Sequence, residues 1–220
     1  MRVTLMVKGL IFDLDGVIVD TAGYHYLAWK KLASEIGIEI DEQFNQSLKG
    51  ISRVESLDKI LRHGNKQNSF SIEEKNMLSE RKNEYYLKLL DNISPKDILP
   101  GVLNLIKQAN QYNIPCVIAS ASQNAPTILK KLAIEHYFQS IVDPKSLKQG
   151  KPDPEIFLKA AQLIDVPAQY CVGFEDSMAG IQALKKARIY AIGIIAEGPL
   201  PEADREVHSL TEIDIHTLIK

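Results

Sequence analysis

Four short apolar runs punctuate the chain, at residues 5–12, 114–119, 170–174 and 190–194. Each is continuous rather than alternating, and turn residues bound it. Runs of this kind, separated by helical patterns, read as parallel strands covered on both faces. Helical spacing occurs at 102–109, 127–132, 153–164 and 178–186. The third of these opens with Asp153 as the helix cap and Pro154 in the first helical position. The pattern predicts an α/β fold with a doubly wound, Rossmann-like parallel-sheet core.

Residues 20–92 break this alternation and carry only helical signals. His25, Ala28, Trp29, Leu32 and Ile36 form a stripe of helical period. Ser71 and Glu74 form a capping box before a pattern through Met77, Leu78, Tyr85 and Leu89. An all-helical block after the first strand predicts an inserted cap domain. The expected division is a core of 1–19 and 93–220 and a cap of 20–92. No internal repeat or low-complexity segment interrupts it.

Composition narrows the partners more than the fold. The chain has 220 residues, 45% hydrophobic and 25% charged, and a net charge of -2. No polybasic field is available, so neither nucleic acid nor an anionic membrane is expected as the main partner. No apolar run reaches the ~18 residues of a membrane span. The first apolar run is broken by Lys8 and lacks a cleavage pattern, so it reads as a strand and not a signal peptide. Met6 is a possible alternative start. Cys116 and Cys171 each sit in an apolar run and read as buried free thiols of a reducing, cytoplasmic protein.

Asp13-Leu14-Asp15-Gly16 is the sharpest local signal. Positions i and i+2 of a strand share a face, so both carboxylates can point the same way. Strand ends of an open α/β sheet are where ligands bind, and two acids there need a cation or a shared proton. A solvated turn is the plain alternative. A calcium loop fails because Val17 and Tyr24 fall where ligands are required. Ser120 and Ser122 follow the second run, where hydroxyls cradle a phosphate or simply cap a helix. Lys151 precedes a helix as a phosphate-neutralising cation or a solvated charge. Glu175 and Asp176 end the third run, and Asp176 or Ser177 would equally serve as a cap.

In a doubly wound sheet these four clusters converge. Their hard oxygen donors suit Mg²⁺, and a free carboxylate can attack phosphorus. Asp13-Leu-Asp15, Ser120, Lys151 and Glu175-Asp176, in this order, resemble the haloacid dehalogenase-type phosphotransferase superfamily. The resemblance implies Asp13 as nucleophile and Asp15 as general acid/base. It implies Mg²⁺ on Asp13, the Asp15 carbonyl, Asp176 and Glu175, with Ser120 and Lys151 holding the phosphoryl group.

Residues 15–25 with Trp29, 48–57, and Arg81-Lys82-Asn83 are similar to the β-phosphoglucomutase branch of that superfamily. That likeness implies Arg53 gripping the non-transferring phosphate, with Ser122 and Asn124 facing the same group. It places His25, Lys49, Gly50, Ser56 and Lys82 along the sugar end. His25 could instead belong to the helix core stripe, and Arg53 and Lys82 to the surface. Gln123 stands where relatives carry a basic residue, and donates a hydrogen bond without charge. The implied reaction interconverts β-glucose 1-phosphate and glucose 6-phosphate through an aspartyl phosphate and a bisphosphate. A sugar-phosphate phosphatase on the same scaffold is the alternative. A receiver module would need neither the helical insert nor Asp15. Small sugar phosphates are the expected partners of a monomeric enzyme.

Overall fold

The computed structural model describes residues 6–195 and 198–218. Leu5, where the first apolar run begins, lies outside the described residues. The strands are β1 (Gly9–Phe12), β2 (Cys116–Ile118), β3 (Ser140–Ile141), β4 (Cys171–Glu175), β5 (Tyr190–Ile194) and β6 (Arg205–Val207). They form one six-stranded sheet in the order β3-β2-β1-β4-β5-β6, and each adjacent pair is parallel.

The four apolar runs became β1, β2, β4 and β5. The two edge strands had left no such run. β3 has two residues, both half-buried, and β6 is a polar three-residue segment. An edge strand has one paired side and needs less apolar surface. The sheet's own pleat sorts the central side chains. Leu10 and Phe12 enter one apolar cluster, and Ile11 enters the cluster on the opposite face. Phe12 stacks on Phe174 of β4 with ring centroids 4.7 Å apart. Burying a side chain of this size is worth ~1.5–3 kcal/mol.

Helices α1 (Ala22–Glu35), α2 (Glu42–Gln46), α3 (Arg53–His63) and α4 (Ile72–Leu90) follow β1. Next come α5 (Val102–Gln111) before β2 and α6 (Ala125–Lys131) before β3. α7 (Glu155–Leu163) precedes β4, α8 (Met178–Lys186) precedes β5, and α9 (Ile215–Leu218) follows β6. The insert between β1 and α5 is therefore helical, and it has a core of its own. Trp29, Leu32, Leu57, Ile60, Leu61 and Leu78 pack together there. Ala28, Tyr86 and Leu90 turn the other way and join the cluster on one sheet face.

Capping chemistry starts the long cap helices. Ser52 with Glu55, and Ser71 with Glu74, each form a reciprocal capping box. α7 starts later than expected, at Glu155 with Pro154 as its cap. Asp153 still accepts the Glu155 N–H at 2.9 Å, so the expected carboxylate does the capping from one position further out. Cys116 and Cys171 are buried and free. Among the described residues no helix is long and apolar enough to cross a membrane.

Candidate active site

β1 lies between β2 and β4, so the three carboxyl ends are neighbours at the point where chain order reverses across the sheet. Asp13 follows β1 directly, Ser120 lies just beyond β2, and Glu175 ends β4 with Asp176 next. Lys151 reaches in from the segment before α7. A cavity of about 830 Å³ opens there, lined from the core by Asp13, Asp15, Ser120, Lys151 and Asp176. Ser122, Gln123 and Asn124 line it as well. From the insert come His25, Lys49, Gly50, Arg53, Ser56 and Lys82. Glu175 is the predicted residue that does not face this space; it is wholly buried beneath it.

Gly16 explains how the turn after β1 packs against Asp176. Its φ is +76°, and a Cβ there would overlap the Asp176 carboxylate. Gly50, at φ +74°, similarly lets the cap loop settle against Ser177 of the core. Ser177 caps α8, its side chain accepting the Gly180 N–H at 3.1 Å. Asp176 is thereby released from the capping role that the sequence left open.

Lys151 is the electrostatic centre of the core half. Its Nζ donates to Asp13 Oδ1 at 2.6 Å and to Glu175 Oε1 at 2.5 Å. Burial alone would lower its pKa, but the two carboxylates overcome that and hold it above its usual value. Burial pushes the Asp13 carboxyl up to about 6 against the pull of Lys151, so it is largely ionised at neutral pH. Glu175 spends its other oxygen on the Ser177 N–H at 2.7 Å and hydroxyl at 2.8 Å.

Asp176 is raised well above the carboxylate range, by burial and then by the charges of Glu175 and Asp13. Lys151 serves Asp13 and Glu175, the Lys49 charge acts on Asp176, and a hard divalent cation would relieve the repulsion that remains among the acids. The donor set fits Mg²⁺ in that chemical sense. Among the described residues, no three His, Cys, Asp or Glu side chains are grouped as a ready metal cage. Glu175 gives its oxygens to Lys151 and Ser177, and the Asp15 carboxylate turns to Thr21.

Asp15 accepts a hydrogen bond from the Thr21 hydroxyl at the entrance to α1. Burial, then the neighbouring Asp13 charge, raises its pKa to about 7. His25 Nε2 stands 3.7 Å from Asp15 Oδ2, beyond hydrogen-bond reach. Lys82 Nζ lies 2.8 Å from His25 Nδ1. An ammonium only donates, so Nδ1 accepts and the ring proton sits on Nε2, facing Asp15. Burial and the Lys82 and Arg53 charges keep His25 neutral, well below its usual pKa. Lys82 itself is buried, with Nζ over the Trp29 and Tyr86 rings at 4.8 and 4.7 Å. Burial, with Arg53 nearby, brings its pKa down to about 7.

The remaining wall of the cavity mixes Arg53, Ser122, Gln123 and Asn124 with Glu55 and Asp153. Arg53 opens α3 and donates from Nη2 to Asn83 Oδ1 at 2.9 Å. Ser120 Oγ accepts the Ser122 N–H at 3.1 Å, leaving the Ser120 proton to give. Ser56 lines the cavity, yet its hydroxyl donates to the Ser52 carbonyl at 2.9 Å. Among the lining or supporting residues to which the sequence reading assigned no role are Thr21, Asn83, Lys145 and Lys148. Asn83 sat inside a quoted motif, and Thr21 next to the expected hinge. Lys145 and Lys148 belong to an exposed segment whose charges look solvated in sequence. Neither ammonium has a partner among the described residues.

A haloacid dehalogenase-like hydrolase family model matches residues 7–188. The chain is 46% identical to the β-phosphoglucomutase of Bacillus subtilis over 211 residues, which is 96% of this chain and 93% of that one. It is 30% identical to a fructose-1-phosphate phosphatase of Escherichia coli, over 84% of this chain and 95% of the relative. A crystal structure of β-phosphoglucomutase from Clostridium difficile superposes with a TM-score of 0.94 at 47% identity, covering 96% and 95% of the two chains.

Proposed function

The chain belongs to the haloacid dehalogenase-like hydrolase family, and from that premise we propose that it is a β-phosphoglucomutase. It interconverts β-D-glucose 1-phosphate and D-glucose 6-phosphate. The observation that carries the reading is one cavity with two unlike ends. One end has an ionised carboxylate, a buried ammonium and a hydroxyl. The other has Arg53 and the Ser122–Asn124 turn, suited to a second phosphate.

Asp13 is the nucleophile. Its phosphorylated form gives the phosphoryl group to the sugar 6-hydroxyl, whose proton passes to Asp15. This yields β-glucose 1,6-bisphosphate. After the bisphosphate turns end for end, Asp13 attacks the phosphorus on O1. The P–O1 bond breaks as Asp15 returns its proton to O1. A carboxyl titrating at about 7 has both forms available near neutrality, as this double role requires. Lys151 and Ser120 neutralise and orient the moving group.

Mg²⁺ would be held by Asp13, Asp176 and the Asp15 backbone carbonyl, with Glu175 behind them as the anchor of Lys151 and Ser177. When bound it would supply charge to the phosphoryl oxygens. Arg53, Ser122, Asn124 and Gln123 hold the resident phosphate, and an always-charged, forked donor suits that task. His25, Lys49, Gly50, Ser56 and Lys82 bound the sugar and order Asp15. We place the domain divide at 19/20 and 92/93, consistent with the separate apolar cluster of the insert. The enzyme works as a cytoplasmic monomer on small sugar phosphates, with neither nucleic acid nor membrane as a partner.

The phosphatase reading is kept alive by the sugar-phosphate phosphatase among the relatives. Phosphorus NMR of the protein with Mg²⁺, β-glucose 1-phosphate and a trace of the bisphosphate separates them. Glucose 6-phosphate should form faster than inorganic phosphate. Phosphate release outpacing isomerisation would replace the mutase with a phosphatase.

A further inference from the structure

Asn83 lies one position after Lys82 on α4 and takes no part in the chemistry above. It is half-buried, and its carboxamide oxygen receives two hydrogen bonds. Arg53 Nη2 donates to it at 2.9 Å, and Asn124 Nδ2 at 2.8 Å. The orientation of the amide is forced. Arginine has no acceptor, so the atom facing it must be oxygen, and that oxygen can only receive from Asn124.

One oxygen therefore joins three elements. Arg53 is the first residue of α3 in the cap, Asn83 lies on α4, and Asn124 caps α6 in the core. A guanidinium and an amide converging on a single oxygen is an arrangement suited to a phosphoryl oxygen. No carboxylate forms an ion pair with Arg53 among the described residues. The acceptor in that place is neutral.

We infer that Asn83 is a positioning residue of the distal-phosphate grip, its oxygen holding Arg53 and Asn124 converged so that the incoming phosphate meets both donors already aimed. The inference rests on the reading that Arg53 and Asn124 bind the resident phosphate. A neutral acceptor is the right one for this task. It orders the donors, yet its bond to arginine is weaker than a phosphate's, so the phosphate wins the exchange. An aspartate there would be a resident anion in competition with substrate. The bond from Asn124 also ties cap to core at the cavity rim, so the same residue biases the cap toward the core before substrate arrives.

The test compares wild type, Asn83→Ala and Asn83→Asp. Steady-state kinetics on β-glucose 1-phosphate are read beside the Asn124 side-chain amide signal in nitrogen-15 spectra of the unliganded proteins. Asn83→Ala should move the Asn124 amide signal and raise KM about tenfold, the upper range for one buried hydrogen bond, with a smaller fall in kcat. Asn83→Asp keeps the acceptor, yet should raise KM further, most strongly at low ionic strength. A KM within twofold of wild type for Asn83→Ala, or an unmoved Asn124 signal, overturns the inference. So does an Asn83→Asp that binds better than Asn83→Ala. A joint collapse of kcat and KM in Asn83→Ala, rescued fully by Asn83→Asp, would mark a merely structural residue and also overturns it. If the wild type makes no glucose 6-phosphate, the proposed function fails, and the Asn124 signal alone decides whether Asn83 holds the two donors together.

Discussion

Two lysines, Lys151 in the core and Lys82 in the cap, are each 2% exposed, and the protein keeps them by opposite means. Lys151 is bracketed by two carboxylates and held above its ordinary pKa. Among the described residues Lys82 meets no carboxylate within bonding distance. It leans on two aromatic rings and a neutral imidazole, and its pKa falls to about 7. Burial alone does not decide the state of a buried cation; its immediate partners do. The core thus carries a permanent charge, as phosphoryl transfer requires. The cap carries a charge that the site can turn up or down, close enough to act on Asp15.

The largest expected effect breaks the core side. Lys151→Met leaves two buried carboxylates facing each other without their cation, which typically costs about 3–5 kcal/mol. Urea unfolding should show that loss at every pH from 7 to 10, and turnover should vanish. A variant as stable as wild type would mean the ion triad is not formed in solution.

Asp15→Asn should retain phosphoenzyme formation from a small phosphoryl donor but cut mutase turnover by ~10²–10⁴. The coupled assay for glucose 6-phosphate measures it. Turnover at the wild-type rate would remove Asp15 from proton transfer.

Arg53→Ala tests the far end of the cavity. Losing one partner of a charged, desolvated phosphate contact costs ~2–5 kcal/mol, so mutase turnover at low substrate should drop by about two orders of magnitude or more. Decay of the Asp13 phosphoenzyme should change much less. Equal falls in both would make Arg53 a support of the core and not a phosphate ligand.

Lys82→Met sharpens the contrast directly. The folded pKa of Lys82 is about 7 and the ordinary value is 10.5, so the unfolded chain binds the proton more tightly between them. Wild-type stability from this group therefore rises as pH climbs from 7 toward 10.5 and is lost as pH falls back through that window. The variant has no such dependence. Its advantage over wild type should be greatest near pH 7 and shrink toward pH 10 in urea titrations. A pH-independent difference would show Lys82 to be as permanently charged as Lys151.

The smallest effect belongs to Gln123→Lys. A half-exposed charge pair is worth ~0.2–1 kcal/mol, so KM should drop a few-fold at most. Lys145 and Lys148 already line the same cavity and lend it positive charge, which keeps the gain small. An unchanged or higher KM would mean residue 123 does not meet the distal phosphate.

Several features were legible in the order of residues alone because they are local. Buried central strands demand continuous apolar runs, so β1, β2, β4 and β5 stood out, and their ends marked Asp13, Ser120 and Glu175-Asp176. Helix caps are equally local, and the Ser71–Glu74 box of the cap appeared where it was read, while the Ser52–Glu55 box came only with the structure. The edge strands β3 and β6 carried no such demand and stayed hidden. Which cluster each strand residue joins followed from the period of two.

What only the tertiary structure decided are the matters of partnership. No spacing in the sequence says that Glu175 gives one oxygen to Lys151 and the other to Ser177, so that it lies beneath the cavity and not on its wall. Nothing local says that Lys82 sits over Trp29, or that Asn83 receives Arg53 and Asn124 on one oxygen. Lys151 with Glu175, Arg53 with Asn83 and Asn83 with Asn124 are 24, 30 and 41 positions apart, and the last pair joins cap to core. A residue's chemistry is written in its type, but its charge state and free donors depend on what the fold brings beside it.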